Sequence, residues 1–423
     1  MIETITLLYY IATYISLFAS IFFLLTWLES HEEKRPEPKE WPYVTMAIPA
    51  YNEEKHIARA IESLLAQDYP KDKLQIIVVE NNHSTDKTYE IAKQYESKGV
   101  EVYSIQKGGK ASALNFALTK AKGEFFGCLD ADSVAAPDLL KKTIPLFSSE
   151  EVVSVTPALK VLQPKTFLGK IQEVEYLVGI FLRKVFDFLN SIHVTPGPGS
   201  IFRKSFLEKE PLDESNITED IEIALRAQKA KLKIKNAMDA VVYAENPETL
   251  KALTKQRIRW YLGFLENLTK YKELFNPKKY GILSLILLLS VTSIAFCIIL
   301  CLFSFLVFGK NLFTNLILLK AIGLQTYIQN ALSNFSFSVN IGPGTVLAIP
   351  ILVCSLGMLF VAENCSNEKN KIKLSYILYL LFYIFLFTLW WLFVIYYKLF
   401  AKEMYFGGVK WDNSIFRRKH ASL

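Results

Sequence analysis

The chain carries three groups of side chains whose types and spacing could do chemistry. Asp130 and Asp132 are separated by one alanine, Glu219 and Asp220 are adjacent, and residues 256–260 read Gln-Arg-Ile-Arg-Trp. Carboxylates bind hard cations and accept protons, whereas amide and guanidinium groups hold phosphate oxygens. We therefore expect a site that handles a divalent cation, an anionic ligand and a proton.

The first acidic pair is typical of a metal site. Asp130 and Asp132 follow an apolar run that ends at residue 129, so they should lie on a turn after a strand. Because side chains two residues apart can face the same way, both carboxylates can face one cavity. Hard oxygen ligands with open coordination positions suit Mg²⁺ or Mn²⁺ bridging a diphosphate, so we predict that this pair binds such an ion.

Asp220 is the best candidate for a general base. A hydroxyl group is a poor nucleophile until its proton is removed, and a carboxylate held nearby can accept that proton. Alternatively, Thr218 caps a helix in whose first turn Glu219 and Asp220 are electrostatically favourable. The two interpretations are compatible, and we favour a catalytic role for the pair.

The segment 256–260 combines hydrogen-bond donors with an aromatic ring. Gln256 and Arg259 are three residues apart, so on a helix they could share a face and hold phosphate oxygens, and Trp260 could stack on a ligand ring. The alternative is an amphipathic helix on the membrane surface, with an apolar stripe beside basic residues that include Arg257. Such a helix can present its other face to the site, so we expect both.

The segments around these groups alternate between strand and helix patterns. Apolar runs predict strands at 44–50, 74–79, 100–105 and 124–129, and helical spacing predicts helices at 57–65, 85–97 and 111–121. Such alternation implies a mainly parallel sheet with helices on both faces, and ligands collect beyond the carboxyl ends of its strands. We therefore expect one site, built from the polar segments that follow these strands, at 49–53, 80–86, 107–110 and 130–132.

The rest of the chain is apolar enough for a membrane protein. Of its 423 residues 51% are hydrophobic, and the mean hydropathy is +0.23. A helix of about 20 apolar residues crosses the hydrocarbon core. This length predicts an N-terminal transmembrane helix at 1–28 and later candidates at 281–308, 346–362, 374–400 and, weaker because it contains Lys320, 312–327.

These boundaries give the expected order of domains. A linker at 29–41 precedes an α/β domain at 42–248. An interfacial helix region follows at 249–280, then the later transmembrane helices at 281–400 and a basic tail at 401–423. Lysine and arginine are dense at 34–35, 278–279 and 417–419, and the positive-inside rule places all three in the cytoplasm. That requires an even number of later spans. Of the three or four candidates we favour four, although Lys369, Lys371 and Lys373 would then lie outside.

The remaining composition excludes several classes of protein. The net charge of +7 lies largely near membrane boundaries, where anionic headgroups attract it, and predicts no nucleic-acid partner. The five cysteines show no paired spacing and predict neither a disulfide framework nor a zinc site.

Four motifs, taken in order, resemble the inverting glycosyltransferases of family 2, of the membrane-integrated cellulose, hyaluronan, chitin and poly-N-acetylglucosamine synthase type. They are Pro-Ala-Tyr-Asn-Glu at 49–53, Asp-Ala-Asp at 130–132, Thr-Glu-Asp at 218–220 and Gln-Arg-Ile-Arg-Trp at 256–260. The resemblance covers about residues 41–270 and the plan of flanking helices. It implies an α/β GT-A fold, which is Rossmann-like, in a cytosolic domain of a multi-pass cell-membrane protein. It also implies a nucleotide-sugar donor, for which we favour a UDP-sugar, and Mg²⁺ or Mn²⁺.

The resemblance also implies roles for single residues. On the donor side, it implies that Pro49, Tyr51 and Glu53 line the nucleotide pocket, that Asp130 contacts the nucleoside diphosphate, and that Lys110 approaches the donor. It implies that Asp132 binds the metal and that Asp220 is the base. On the acceptor side, it implies that residues 197–200 form a loop and that Gln256, Arg259 and Trp260 close the donor and acceptor sites. Pro198 is an unusual occupant of that loop. The family usually has an aspartate at the end of the second strand, where this chain offers Glu80 or Asn81, and we rank the two equally.

Three functions follow from this sequence. A processive polysaccharide synthase that also translocates its product is favoured by the Trp260 motif and the later spans. A transferase that adds one sugar to a membrane lipid can carry the same motifs. A non-catalytic scaffold or transporter is disfavoured, because it leaves the acidic and basic groups unexplained. In either transferase we expect a single displacement with inversion.

Overall fold

The helices and strands of the chain are seen in a computed structural model that describes residues 2–30, 35, 38–81, 84–106, 108–333, 343–365, 374–400, 403–406 and 409–412. The helices are α1 Ile2–Glu29, α2 Ile57–Leu65, α3 Thr88–Lys93, α4 Lys110–Lys120, α5 Leu139–Thr143, α6 Phe167–Phe188, α7 Lys204–Lys209, α8 Glu219–Lys229, α9 Leu250–Lys270, α10 Pro277–Tyr280, α11 Ile282–Ile322, α12 Leu324–Ser333, α13 Pro343–Cys365 and α14 Leu374–Phe400. The strands are β1 Val44–Ala50, β2 Leu74–Asn81, β3 Glu101–Ile105, β4 Phe125–Cys128, β5 Val134–Ala135, β6 Val152–Val161, β7 Ile201–Arg203, β8 Lys233–Ala244, β9 Glu403–Phe406 and β10 Val409–Asp412.

An eight-stranded sheet forms the centre of the α/β domain. Its order is β3-β2-β1-β4-β7-β6-β8-β5. The strands from β3 to β4 are parallel, as are β6 and β8, whereas β7 is antiparallel to both neighbours and β5 to β8. The mainly parallel sheet predicted from the sequence is confirmed in its first half, and its second half is mixed.

Both faces of the sheet are covered by helices, as the alternation of patterns predicts. Met46 and Ile48 lie in one apolar cluster with Ile61 of α2, while Ala47 lies in a second cluster with Leu114 of α4. All five side chains are at most 4% exposed. Because alternate residues of β1 face opposite sides, a nearly continuous apolar run is the sequence pattern of such a strand.

The four predicted strands are confirmed within about two residues, but the predicted helix at 85–97 is too long. The α-helix there is Thr88–Lys93, followed by a short 3₁₀ turn at Glu96–Lys98. Asp86 explains the late start, because its carboxylate accepts hydrogen bonds from the Thr88 backbone N–H and from the Glu54 N–H after β1. A side chain that is bonded across to another turn holds the chain out of the helix.

Three helices are long and apolar enough to cross a membrane, within the part of the chain that the structure describes. They are Thr6–Glu29, Ile282–Ile322 and Leu374–Phe400, and a shorter apolar helix covers Ala348–Asn364. The separate span expected at 312–327 is wrong, because residues up to Ile322 continue α11 and the helix ends at Gly323 with a positive φ of 78°. The favoured count of four later spans thereby loses one of its candidates, and the number of segments of 281–400 that span the bilayer stays a prediction.

Some basic segments that define the expected orientation lie outside the described residues. They include Lys34, the lysines at 369, 371 and 373, and the arginines at 417 and 418. Part of the predicted tail at 401–423 forms the antiparallel pair β9 and β10.

Two long helices connect the α/β domain to the apolar helices. Phe181 of α6 packs in a cluster with Leu359 of α13, and Leu262 of α9 packs in a cluster with Trp391 of α14. Polar bonds reinforce the second contact, since the Lys398 Nζ of α14 lies 3.1 Å from a Glu266 carboxylate oxygen of α9. The helices α6 and α9 therefore fix where the apolar helices stand relative to the sheet.

Candidate active site

A lysine joins the two acidic groups that the sequence singled out. Lys110 opens α4 after β3, Asp130 follows β4, and Glu219 opens α8. The Lys110 Nζ lies 2.6 Å from Asp130 Oδ1 and 3.2 Å from Glu219 Oε1. Three elements that are distant in sequence thus meet at the carboxyl end of the sheet. We call Asp130, Asp132, Glu219 and Asp220, with Lys110 and Arg259, the cleft cluster.

A glycine makes room for this lysine. Gly197 lies in the loop before β7, and a Cβ atom at this position would collide with the Lys110 Nζ. The same Cβ would lie 3.6 Å from Asp130 Oδ1. The loop expected on the acceptor side therefore borders the cleft cluster, and a side chain at position 197 would displace the Lys110 ammonium from its present place.

Asp132 lacks a cationic partner among the described residues. Its carboxylate accepts a hydrogen bond of 3.1 Å from the Ser133 hydroxyl. Burial, with the neighbouring Asp130 and Glu53 carboxylates, raises the pKa of Asp132 to about 6. A buried carboxylate among other carboxylates is stabilised when a cation joins it.

The donor set fits a metal that is shared with a ligand. No group of three or more Asp, Glu, His or Cys side chains in the described part of the chain could hold a metal by itself. Magnesium is commonly held by one or two carboxylates together with substrate phosphates. Asp132 and Asp130 supply that number of carboxylates, so the residues present suit Mg²⁺ or Mn²⁺ bound with a diphosphate.

The second acidic pair lies in the first turn of α8, as predicted. Burial and the neighbouring Glu219 raise the pKa of Asp220 to about 6. Burial also opposes the charge of Glu219, but Lys110 and Arg259 outweigh it and lower the Glu219 pKa. Adjacent carboxylates with opposite shifts are the pattern expected where one group stays ionised and the other exchanges a proton near neutral pH.

The capping alternative for Thr218 is only partly right. Thr218 precedes α8, but its side chain makes no capping hydrogen bond. Its hydroxyl accepts a bond of 3.0 Å from Asn267 of α9 instead. A Cβ at Gly263 of α9 would collide with the Thr218 side chain, so α9 lies directly against the start of α8. Helix α9 and the Glu219–Asp220 turn are thus positioned together.

Arg259 lies at the edge of the cleft cluster, whereas Gln256 does not bond to it. The Arg259 Nη1 donates a hydrogen bond of 2.9 Å to the Ile217 carbonyl, just before α8. Its charge also lowers the pKa values of Glu219 and Asp220, although burial outweighs this effect at Asp220. Gln256 Oε1 accepts a bond of 2.7 Å from Arg257 Nη1. The two residues that were expected to share a face therefore have different partners.

Arg257 is the main residue that sequence reasoning misplaced. It was expected beside the solvent or the membrane surface, but its side chain is 0% exposed. Its Nη2 lies 2.5 Å from a Glu175 oxygen of α6, and its guanidinium lies 4.2 Å from the ring centre of Trp260. The spacing of Leu253, Arg257 and Tyr261 was the available signal, because an arginine in an apolar stripe is buried with it. We call Glu175, Arg257 and Trp260 the Arg257 cluster.

The turn after β1 is held by the segment that follows β2. Asn52 adopts a φ of 54°, its side-chain oxygen accepts a bond of 2.8 Å from the Thr85 N–H, and the Glu53 N–H donates one of 2.7 Å to Thr88. This turn leaves Tyr51 43% exposed at the strand end, next to Pro49 in β1. Glu53 pairs with His56 at 2.8 Å.

Glu80 and Asn81 are both buried, at opposite faces of the end of β2. The Glu80 carboxylate accepts a bond of 2.9 Å from the Ser104 hydroxyl of β3. The Asn81 amide donates to the Gly108 carbonyl, just before Lys110. Asn81 therefore supports the loop that positions Lys110, and both residues stay candidates for nucleoside contact.

Comparison with known proteins identifies the family. The glycosyl transferase family 2 model matches residues 45–210. A poly-beta-1,6-N-acetyl-D-glucosamine synthase of Staphylococcus epidermidis is 30% identical over 306 residues, which cover 70% of each chain. The chain belongs to glycosyl transferase family 2. This glycosyltransferase is also 31% identical over 247 residues to a beta-monoglucosyldiacylglycerol synthase of Nostoc sp., covering 57% of this chain and about half, 53%, of that relative.

A solved structure supports the fold. A mannosyltransferase of Pyrobaculum calidifontis, solved with GDP-Man and Mn²⁺, matches 88% of the glycosyltransferase and all of its own chain, with a TM-score of 0.59 and 19% identity. The predicted GT-A fold with flanking apolar helices is therefore confirmed. The enzyme class follows from the family, since the curated relatives are glycosyltransferases with named products.

Proposed function

We propose that this glycosyltransferase moves a sugar from a nucleotide-diphosphate-sugar, with a UDP-sugar favoured, to a growing polysaccharide, with inversion. The supporting observation is the Lys110 bridge between Asp130 and Glu219, which joins the turn expected to bind the donor to the turn expected to activate the acceptor. Sugar transfer requires both ends of the reaction within a few ångströms of each other. A scaffold or transporter would have no need for that junction.

The donor half of the reaction is assigned to the strand ends. Pro49, Tyr51 and Glu53 would line the nucleotide pocket, with Glu80 or Asn81 meeting the nucleoside. Asp132 would hold Mg²⁺ or Mn²⁺, aided by Asp130, and the ion would neutralise charge on the departing diphosphate. Lys110 would orient Asp130 toward the diphosphate and keep Glu219 ionised.

Asp220 is assigned as the base. Its pKa is raised to about 6 by burial and by Glu219, which makes it a stronger proton acceptor than an ordinary aspartate while it stays mostly ionised at neutral pH. It would take the hydroxyl proton of the acceptor as the acceptor oxygen attacks the anomeric carbon and the carbon–oxygen bond to the diphosphate breaks. No covalent intermediate with the enzyme is needed.

The start of α9 is assigned to the leaving group and the acceptor. Arg259 uses one of its five N–H donors on the Ile217 carbonyl, which leaves donors for phosphate oxygens. Gln256 would join it after exchanging its bond to Arg257. Trp260 is half-buried with Arg257 beside its ring, which fixes the ring for stacking against a sugar.

The second candidate is transfer of one sugar to a membrane lipid. It is favoured by the 31% identity to a relative whose name describes a glucolipid product. Polymer synthesis is favoured by the longer match, 306 residues, to a polysaccharide synthase. In both cases α6 and α9 seat the cleft beside apolar helices, so an acceptor at the membrane surface is within reach.

Membrane orientation is also a proposal. The apolar helices α1, α11 and α14 would span the cell membrane, and the α/β domain would face the cytoplasm, where nucleotide sugars are made. Lys278 and Lys279 immediately precede α11, which favours the cytoplasmic side for that end. The native cysteines at 128, 297, 301, 354 and 365 are replaced, and a single cysteine is placed at position 310. This cysteine should react with a membrane-impermeant thiol reagent only from outside the cell.

The experiment for the function is a donor screen with product sizing. Membranes that contain the protein are incubated with radiolabelled UDP-N-acetylglucosamine, UDP-glucose or GDP-mannose, and products are separated into polymer and lipid fractions. We expect labelled polymer from a UDP-sugar, absent in membranes with Asp220→Asn. Label confined to short lipid products would favour the second candidate. No transfer from any donor would contradict both.

A further inference from the structure

Three polar side chains contact the segment that contains the metal-side aspartate. Arg59 and Ser63 lie one turn apart on α2, and Gln67 follows just after the helix ends at Leu65. We call these three residues the polar stripe. The Arg59 Nη2 donates a hydrogen bond of 3.3 Å to the Asp132 carbonyl, the Ser63 hydroxyl accepts one of 3.1 Å from the Ala135 N–H, and the Gln67 amide donates one of 2.7 Å to the Ala136 carbonyl. Helix α2 and the residues that follow it thus hold the backbone from Asp132 to Ala136.

The three side chains of this stripe differ in burial, and the difference distinguishes residues that stabilise the fold from a residue that positions Asp132. Ser63 is 8% and Gln67 1% exposed, so their bonds belong to the core. The Arg59 side chain is 42% exposed and that of its partner Glu245 36%. Exposed ion pairs contribute little to folding, so a structural role is a weak reason for Arg59 to be there.

Glu245 fixes the direction of the Arg59 guanidinium. Its Oε1 lies 2.9 Å from the same Nη2 that bonds to Asp132. Glu245 follows β8 and leads into α9, the helix of Gln256 and Arg259. A polar cavity of about 60 Å³ lies beside the pair and is lined also by Lys165, Asn246 and Glu248. Arg59 therefore ties the metal-side turn to the segment before α9 at a polar, solvent-accessible edge of the domain.

We propose that Arg59 is a positioning residue that sets the affinity of the glycosyltransferase for its divalent cation. The inference depends on the proposed function, because it takes Asp132 as the metal-binding carboxylate. With its carbonyl held by Arg59, the Asp132 carboxylate keeps one orientation toward the cleft. Without Arg59, Asp132 can rotate, and reorienting it for the cation reduces the free energy of binding.

The test measures cation binding and stability separately. Purified full-length protein is titrated with Mn²⁺ in the presence of UDP, free Mn²⁺ is followed by electron paramagnetic resonance, and the Tm is recorded. For Arg59→Gln we expect the Mn²⁺ Kd to rise about 10-fold, as is usual when a supporting group of a metal ligand is lost. The Tm should change by no more than about 2 °C, since the pair is exposed.

Two further variants make the test specific. Lys73→Gln breaks another exposed ion pair, with Glu40 at 2.9 Å, and should leave both readouts unchanged. Gln67→Leu removes a buried bond of the same stripe and should lower the Tm. Arg59→Lys, which keeps a positively charged hydrogen-bond donor at this position, should recover part of the Mn²⁺ affinity.

The outcomes separate the inference from the function on which it depends. If wild-type protein binds Mn²⁺ and Arg59→Gln binds it equally well, the positioning role is wrong while the metal assignment stands. A Tm loss in Arg59→Gln as large as that of Gln67→Leu would make Arg59 a folding residue and also overturn the inference. If wild-type protein binds no Mn²⁺ with UDP, the metal assignment itself fails.

Discussion

The Arg257 cluster holds its charge fully buried and the cleft cluster holds its charges half-buried, and the two clusters also balance charge differently. In the Arg257 cluster one guanidinium meets one carboxylate, Glu175, at 2.5 Å, and the Trp260 ring lies against the guanidinium. In the cleft cluster the carboxylates of 130, 132, 219 and 220 face two cations among the described residues, Lys110 and Arg259. A balanced pair satisfies itself, whereas an excess of carboxylates is costly until a cation arrives. The difference assigns a structural role to the Glu175–Arg257 pair and ligand binding to the cleft cluster.

The largest loss of sugar transfer is expected from a substitution in the cleft cluster, where carboxylates outnumber cations. Asp132→Asn removes a carboxylate that has no ion-pair partner among the described residues. Transfer should fall by at least about 10³-fold, because a bound metal would stabilise the departing diphosphate by several kcal/mol. Initial rates with labelled donor at saturating Mn²⁺ measure it. Asp68→Asn, an aspartate paired with Lys141 on the surface, is the matched control. Full activity of Asp132→Asn would remove the cleft cluster from donor chemistry.

Asp220→Asn should lower transfer by about 10²- to 10⁴-fold, the usual range for a lost general base. Because the base acts on the acceptor, nucleotide affinity should stay within about 2-fold of wild type. Calorimetric titration with UDP and Mn²⁺ separates the two quantities. A matching loss of nucleotide affinity would move Asp220 to the donor side.

The Arg257 cluster should respond in stability rather than chemistry. Glu175→Gln leaves a fully buried guanidinium without its carboxylate, which should cost about 3 kcal/mol of unfolding free energy. A lowered Tm in detergent, with UDP affinity retained by the folded protein, is the expected result. An unchanged Tm accompanied by lost nucleotide binding would show that the two clusters are not distinct in role.

The smallest effect is a change with pH. The pKa of Asp220 is raised from its ordinary 3.8 to about 6, so the base is protonated, and transfer lost, as the pH falls through that value. The kcat should fall about 10-fold per pH unit below it. A kcat that stays constant down to about pH 4.5 would contradict the assignment of a raised pKa.

The sequence predicts the first half of the fold and the site's acidic residues because both depend on local patterns. Four apolar runs mark β1 to β4, and the Asp130–Asp132 turn follows directly from the last of them. The mixed half of the sheet was not predicted, since β7 pairs with both β4 and β6 through contacts between distant segments. Pairing of that kind leaves no periodic signal along the chain.

Tertiary contacts of single side chains could not be predicted from the sequence either. Arg257 and Arg59 both look like surface arginines, yet one is buried against α6 and the other bonds to the Asp132 carbonyl. The role of each arginine depends on which segment packs against it. Amphipathic spacing predicts which face of a helix is apolar, but not the segment that this face contacts. The separate span expected at 312–327 was wrong because residues 309–311, which separate the two apolar runs, do not end α11.

Metal-dependent nucleotide binding tests the contrast between the clusters most directly. Binding of UDP and of GDP is measured for wild-type protein, Asp132→Asn and Glu175→Gln, each with and without Mn²⁺. We expect Mn²⁺ to tighten binding of at least one nucleotide about 10-fold or more in wild type and in Glu175→Gln, and to have no effect in Asp132→Asn. Equal affinity with and without Mn²⁺ in wild type, or a gain that persists in Asp132→Asn, would contradict the assignment of the cleft cluster.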